Sequence, residues 1–260
     1  MTGLITLTTD FGLQDPFVGV MKGVILSINP EAKLVDLTHQ VEPFDVVDGA
    51  LALAQSYPYF PPGTIHVVVV DPGVGSERRP ILVATPTQHF VGPDNGVFSL
   101  VYGREPSFEV RHVTAERLFH KPVSQTFHGR DIFAPVAAWL SKGLAAETFG
   151  GLITDYVQVA VAKPERISSS VIRGEVLRVD NFGNLITNFS AKHLPQQGAF
   201  RLLVNKSCVT RLVSSYAEGR GNHVIAIVGS AGFIEIAAYQ ASAAEVLGAG
   251  KGTEIILETE

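Results

Sequence analysis

The run IHVVVVDPGVGSERR, Ile65 to Arg79, decides the fold. From Ile65 to Val70 every residue except His66 is apolar and β-branched, the composition of a strand buried on both faces of a sheet. Asp71-Pro72-Gly73 follows as a good turn sequence. Upstream, Leu4–Thr8 reads as a strand, and Phe17–Ile28 as a helix with Val18, Met21, Ile25 and Ile28 at helical spacing and a stop at Asn29-Pro30. Lys33–Leu37 is a further strand, and Val46–Ser56 a helix with Asp45 as its N-cap. Downstream, Ile81–Ala84 and Phe90–Val91 read as strands and Asp131–Ser141 as a helix that Asp131 could cap. Strands alternating with helices predict an α/β domain with a mainly parallel sheet.

The pattern changes after about residue 160. Helical periodicity gives way to short strand-like runs, Val171–Val179, Leu185–Asn188, Arg201–Val204, Val224–Val228, Phe233–Ala237 and Thr253–Leu257, punctuated by Gly, Asn and Ser. They predict a smaller antiparallel β-barrel or sandwich. The division expected is residues 1–161 for the α/β domain, 162–170 (AKPERISSS) for a polar linker and 171–260 for the second domain.

Composition excludes several functions. Twenty Lys and Arg stand against 25 Asp and Glu, a formal charge of −5 with no basic stripe, so nucleic acid is not expected as a partner. No apolar run approaches the roughly 20 residues of a membrane span, and the start MTGLITLTTDFG has no basic region of a signal peptide. Cys208 is the sole cysteine, which fits a reducing cytoplasm.

Chemistry-bearing clusters fall at the ends of expected strands, where open α/β sheets bind ligands. They are Thr9–Gly12 (TDFG), Asp71–Arg79, Gly92–Gly96 (GPDNG) and Phe127–Asp131 (FHGRD), with Asp180–Asn184 (DNFGN) in the second domain. Taken singly, each also reads as an ordinary turn or cap. Gly73-Val74-Gly75 lacks the endings of both nucleotide-binding fingerprints, and no GxSxG elbow is present. Asp10, Asp36, His39, Asp71 and His128 could converge on a metal, yet no HExxH, CxxC or close His/carboxylate spacing occurs, so neither metal nor cofactor is expected.

Together with PFDV (Pro43–Val46), FHGRDIFAP (Phe127–Pro135), FGNLITN (Phe182–Asn188), EIA (Glu235–Ala237) and SAA (Ser242–Ala244), these clusters make the chain resemble the S-adenosylmethionine hydroxide adenosyltransferases, relatives of the fluorinases and chlorinases. The resemblance implies an N-terminal α/β domain, a C-terminal β-barrel and a homotrimer with active sites between subunits. It implies hydrolysis of S-adenosylmethionine to adenosine and methionine, with Asp71, Arg78 and His128 as the catalytic set. Substrate contacts are implied for Asp10 (ribose), Phe44, Asp180, Asn184, Tyr216 and Ser230. Tyr239-Gln240-Ala241 stands where the family more usually has Asn-Gly-Gly.

The implied chemistry suits these residues. Methionine leaves as a neutral thioether, so no general acid is required, and the task is to hold and deprotonate a water behind a primary carbon. Asp71 and His128 both remain open as the base. Two alternatives are a halide transferase, which a carboxylate at position 71 disfavours, and a non-catalytic binder of adenosyl compounds.

Overall fold

The computed structural model describes residues 3–195, 198–221 and 224–259. The chain divides into two compact units, Met1–Ala160 and Val161–Glu260.

The first unit is built on a six-stranded sheet: β1 (Leu4–Thr9), β2 (Lys33–Thr38), β3 (Ile65–Val69), β4 (Pro80–Ala84), β5 (His89–Pro93) and β6 (Glu109–His112), in the order β2-β1-β3-β5-β4-β6. The β1–β2, β1–β3 and β3–β5 pairs are parallel, and β4 runs antiparallel to both neighbours. This is the mainly parallel sheet that the alternation predicts. All five residues of β3 are buried. Val67 and Val69 face the core under α1 (Phe17–Ile28) and the helix Ala134–Ser141, while Val68 faces the core under α2 (Val46–Ser56) and α3 (Ser99–Tyr102). One alternating strand thus serves two apolar layers, which is why its sequence is apolar on both faces. Asp45 caps α2 by accepting the Asp48 N–H at 3.0 Å.

Asp131 does not cap a helix. Residues Gly129–Phe133 form a single π-helical turn, and the regular helix α4 begins only at Ala134. Asp131 is fully buried, where its carboxylate accepts the Ser124 N–H at 2.8 Å and pairs with Arg130 at 2.6 Å. Strand β6 lacks an apolar signal because Arg111 is buried by pairing, 2.8 Å from Glu109, rather than by hydrophobicity.

The second unit is a nine-stranded, mostly antiparallel sheet curled into a half-barrel. Its strands are β7 (Glu165–Arg166), β8 (Val171–Val179), β9 (Leu185–Ser190), β10 (Phe200–Val204), β11 (Ser207–Val209), β12 (Leu212–Val213), β13 (Val224–Val228), β14 (Phe233–Ala238) and β15 (Glu254–Thr259). β8 bridges the two halves, pairing along Val171–Glu175 with β15 and along Val176–Val179 with β9. Val176, Leu185, Phe189, Leu202, Ile234, Ile236 and Leu257 fill the concave side. β7 lies inside the stretch read as linker, and α5 (Ala243–Leu247) is a short helix capped by Ser242. Among the described residues no helix is long and apolar enough to cross a membrane.

His66 interrupts the apolar run at no exposure. Its ring stacks on Phe90 at 5.1 Å, stands edge-on to Tyr57 and Phe60, and places Nδ1 2.7 Å from Thr6 Oγ1. Burial pushes its pKa down to about 4, while a contact with Gln88 opposes this more weakly. The unfolded chain therefore binds a proton that the folded one refuses. Stability is complete above the unfolded value near 6.5 and falls as pH drops toward 4. Between pH 7 and 5 this single group should cost roughly 2 kcal/mol, at 1.36 kcal/mol per unit. Urea unfolding at both pH values is expected to show a steeper loss for wild type than for His66→Phe; parallel losses would exclude His66 as an acid-sensitive group.

Candidate active site

Strands β1 and β3 are parallel neighbours in register at Thr9 and Val69, so their carboxyl ends deliver Asp10 and Asp71 to the same edge of the sheet. After Asp71 the chain turns through Val74 N to Asp71 O at 3.2 Å and Ser76 N to Gly73 O at 3.1 Å, which returns Arg78 toward Asp71. Gly75 has φ +77°, and a Cβ there would lie 2.2 Å from the Gln125 carbonyl oxygen. Only glycine lets this loop approach the loop that carries His128.

Arg78 joins the three expected catalytic residues. Its Nε donates to Asp71 Oδ1 at 2.9 Å, and its Nη2 donates both to Asp71 Oδ2 and to His128 Nδ1, the latter at 2.6 Å. The guanidinium lies over the Phe133 ring at 5.2 Å. The Arg78 and Asp71 side chains are 8% and 4% exposed, so this is a buried pair in fork geometry. Nη1 is buried without a hydrogen-bond partner among the described residues. Arginine has no acceptor, so His128 Nδ1 must accept, which places the imidazole proton on Nε2. Burial and the Arg78 charge push the His128 pKa down, outweighing Asp71, Asp131 and a hydrogen bond to the Ser124 main chain, and agree with a neutral ring.

Asp10 is half-buried and accepts the Phe44 N–H at 2.9 Å. Burial raises its pKa against the lowering effect of that bond, and the Asp71 charge adds to the rise. Phe44 has φ +67° and is 73% exposed. A left-handed aromatic residue held by a carboxylate is a strained, outward-facing arrangement of the kind found at ligand sites. Beside it, Phe11, Phe17 and Phe127 form an edge-to-face trio with centroids 5.2–6.0 Å apart.

In the second unit, Asp180, Asn184, Tyr216 and Ser230 line one pocket of about 700 Å³. Asp180 organises its rim: Oδ1 accepts Phe182 N at 2.8 Å and Asn184 N at 2.9 Å, and Oδ2 accepts Asn184 Nδ2 at 2.8 Å. Sequence reasoning missed Glu235, Phe182, Gln240 and Ser242 as lining residues. Glu235 Oε2 accepts the Tyr216 hydroxyl at 2.7 Å, and burial together with this carboxylate pushes the phenol up to about 12. The signal lay in the stretches already quoted, since Glu235 belongs to EIA and Phe182 to DNFGN. What was lacking was the strand register that aims Glu235 into the pocket. Gln240 has a left-handed backbone, at φ +51°.

Asp36 and His39, weighed for a metal, contact each other instead, and among the described residues no three His, Cys, Asp or Glu side chains converge as a metal set.

The chain is similar to several known proteins. The curated relatives include (R)-S-adenosyl-L-methionine hydrolases of Methanocaldococcus jannaschii (35% identical, covering 94% of this chain and 91% of the relative) and Thermus thermophilus (37%, covering 96% and 97%). A fluorinase of an Actinoplanes species is 26% identical over 90% of each chain. A crystal structure from Thermotoga maritima, described as an uncharacterized conserved protein, superposes with a TM-score of 0.90 at 38% identity over 97% of this chain and 99% of the other. The models of the SAM hydroxide adenosyltransferase N-terminal and C-terminal domains match residues 5–150 and 174–256, so the chain belongs to the SAM hydroxide adenosyltransferase family.

Proposed function

We propose that this chain hydrolyses (R)-S-adenosyl-L-methionine to adenosine and L-methionine. The observation that carries the reading is the buried Asp71–Arg78–His128 constellation, bonded through one guanidinium in a chain similar over its length to hydrolases of that substrate. Because L already specifies the amino-acid carbon and adenosyl its sugar, the R in the relatives' name refers to the sulfonium sulfur. A single site that aligns the sulfur's lone pair, methyl and aminobutanoate arm must distinguish the two epimers.

In the proposed reaction a water attacks the ribose C5′ in line with the C5′–S bond. The C5′–O bond forms, the C5′–S pair goes to sulfur, and methionine departs as a thioether. Arg78 is the charged donor beside Asp71, while His128, held by Arg78 at Nδ1 and by the Ser124 main chain, keeps that guanidinium in place. With Nδ1 committed to Arg78, His128 cannot serve as base from that nitrogen, and the proton goes to Asp71. A weak base suffices, because the attacking water becomes strongly acidic as its oxygen bonds to carbon. Asp10 holds the ribose, and Phe44 covers the substrate. An anionic Asp71 opposes a halide at the same position, which sets this chain apart from halide transfer.

Asp71→Asn keeps one acceptor for Arg78 but takes no proton. Adenosine release, followed by chromatography, is expected to fall about 10²–10⁴-fold, with the fold checked by thermal melting. Near-normal turnover would remove Asp71 from the mechanism. Presented with separated sulfonium epimers, the protein should consume the R form and leave the S form; equal consumption would contradict the stereochemical assignment.

The resemblance further implies a homotrimer in which the catalytic set of one chain and the 700 Å³ pocket of another serve one substrate. Co-expressed Asp71→Ala and Asp180→Ala chains should then form mixed trimers that release adenosine, although neither parent does. Mixed trimers as inactive as both parents would place each site within one chain.

A further inference from the structure

Four side chains near Asp10 form a line of polar contacts that the reaction above does not use. Lys22 Nζ in α1 meets Asp36 Oδ2 in β2 at 2.6 Å, and Asp36 Oδ1 lies 3.0 Å from His39 Nε2. Across the ring, His39 Nδ1 is 2.9 Å from Thr9 Oγ1, which also accepts the Phe11 N–H at 3.2 Å. His39 and Thr9 are buried, whereas the Lys22–Asp36 end is open to solvent.

The donors determine how this line is oriented. A backbone N–H only donates, so Thr9 Oγ1 accepts from Phe11. Burial works against an ionised Asp36, yet Lys22 and His39 hold its carboxyl below the ordinary range. The 3.0 Å contact of Nε2 with that carboxylate favours a proton on Nε2, with a geometry short of a hydrogen bond. One arrangement then fits these contacts: Lys22 donates to Asp36, His39 Nε2–H faces the same carboxylate, the Thr9 hydroxyl donates to His39 Nδ1, and Phe11 N–H donates to Thr9. The main chain clamps the same turn, with Gly12 N donating to His39 O at 2.7 Å and Val41 N to Thr9 O at 3.3 Å. The residue inside this turn is Asp10, which in turn holds Phe44.

We propose that His39, oriented by Asp36, is a positioning residue that acts through Thr9 to fix the direction of the Asp10 carboxylate. The inference rests on the reading that Asp10 contacts the substrate's ribose. Its distinguishing consequence is dependence on Asp10: an element that merely stabilised the fold would matter equally whether or not residue 10 were a carboxylate.

The test is kcat/KM for (R)-S-adenosyl-L-methionine in Thr9→Val, Thr9→Ser, Asp10→Asn and the Thr9→Val/Asp10→Asn double variant, measured at high enzyme concentration. Thr9→Val is nearly isosteric and removes the hydroxyl; it should lower kcat/KM about 10- to 100-fold, since small misplacements of an orienting group carry penalties of this size. Thr9→Ser should restore activity to within about threefold of wild type, and Thr9→Val should cost less than about threefold in the Asp10→Asn background. An unaffected Thr9→Val, or an undiminished loss on top of Asp10→Asn, overturns the inference. Should Thr9→Val fail to fold, Asp36→Asn at the exposed end takes its place, with an expected loss of about three- to tenfold that likewise vanishes beside Asp10→Asn. Wild type that releases no adenosine removes the functional reading itself; active wild type with an indifferent Thr9→Val removes only the positioning role.

Discussion

The candidate chemistry of the first unit depends on one guanidinium. Arg78 is the common partner of Asp71 and His128, and each of its contacts constrains the others. By pairing with Asp71 it lets a carboxylate remain buried at the sheet edge without the full penalty of an isolated charge. By occupying His128 Nδ1 it selects the tautomer and disfavours a second positive charge on the ring. By leaving Nη1 without a partner among the described residues it keeps one donor unspent. Lysine could supply the charge but not the planar fork that does these three things at once.

Much of the fold was legible because its strongest signals are local. The β-branched run before Asp71 could only be a strand covered on both faces, and Val67, Val68 and Val69 do alternate between two apolar layers. The helix ending at Asn29-Pro30 and the Asp45 cap followed from backbone rules that operate within a few residues. Elements held by pairing rather than by apolarity escaped notice. β6 presents Glu109 and Arg111, and the burial of Arg111 makes sense only once it is seen to meet Glu109, while β11 and β12 are too short for any period to emerge.

The site followed the same division. Asp71, Arg78 and His128 were named by the resemblance, yet the sequence left their protonation roles open, because a tautomer is fixed by a neighbour 50 positions away in the chain. The pocket residues Glu235 and Gln240 were hidden for a related reason. A glutamate in a strand reads as a solvent-facing position until the register and the partner hydroxyl of Tyr216 are known. His39 and Asp36 drew attention as metal candidates, and their chemistry is spent instead on each other and on Thr9.

The π-helical turn at Gly129–Phe133 fits one more residue into its loop of hydrogen bonds than an α-helix would. That surplus sets the angular phase of everything before it relative to α4. Rewinding the same residues as regular α-helix would strengthen the backbone bonding of the segment. It would also swing His128 about the axis by roughly 100°, the angle of one α-helical step, away from Arg78. The less regular backbone is thus what keeps the imidazole in phase with its partner, and a rewinding that made the helix more ideal would unmake the cluster.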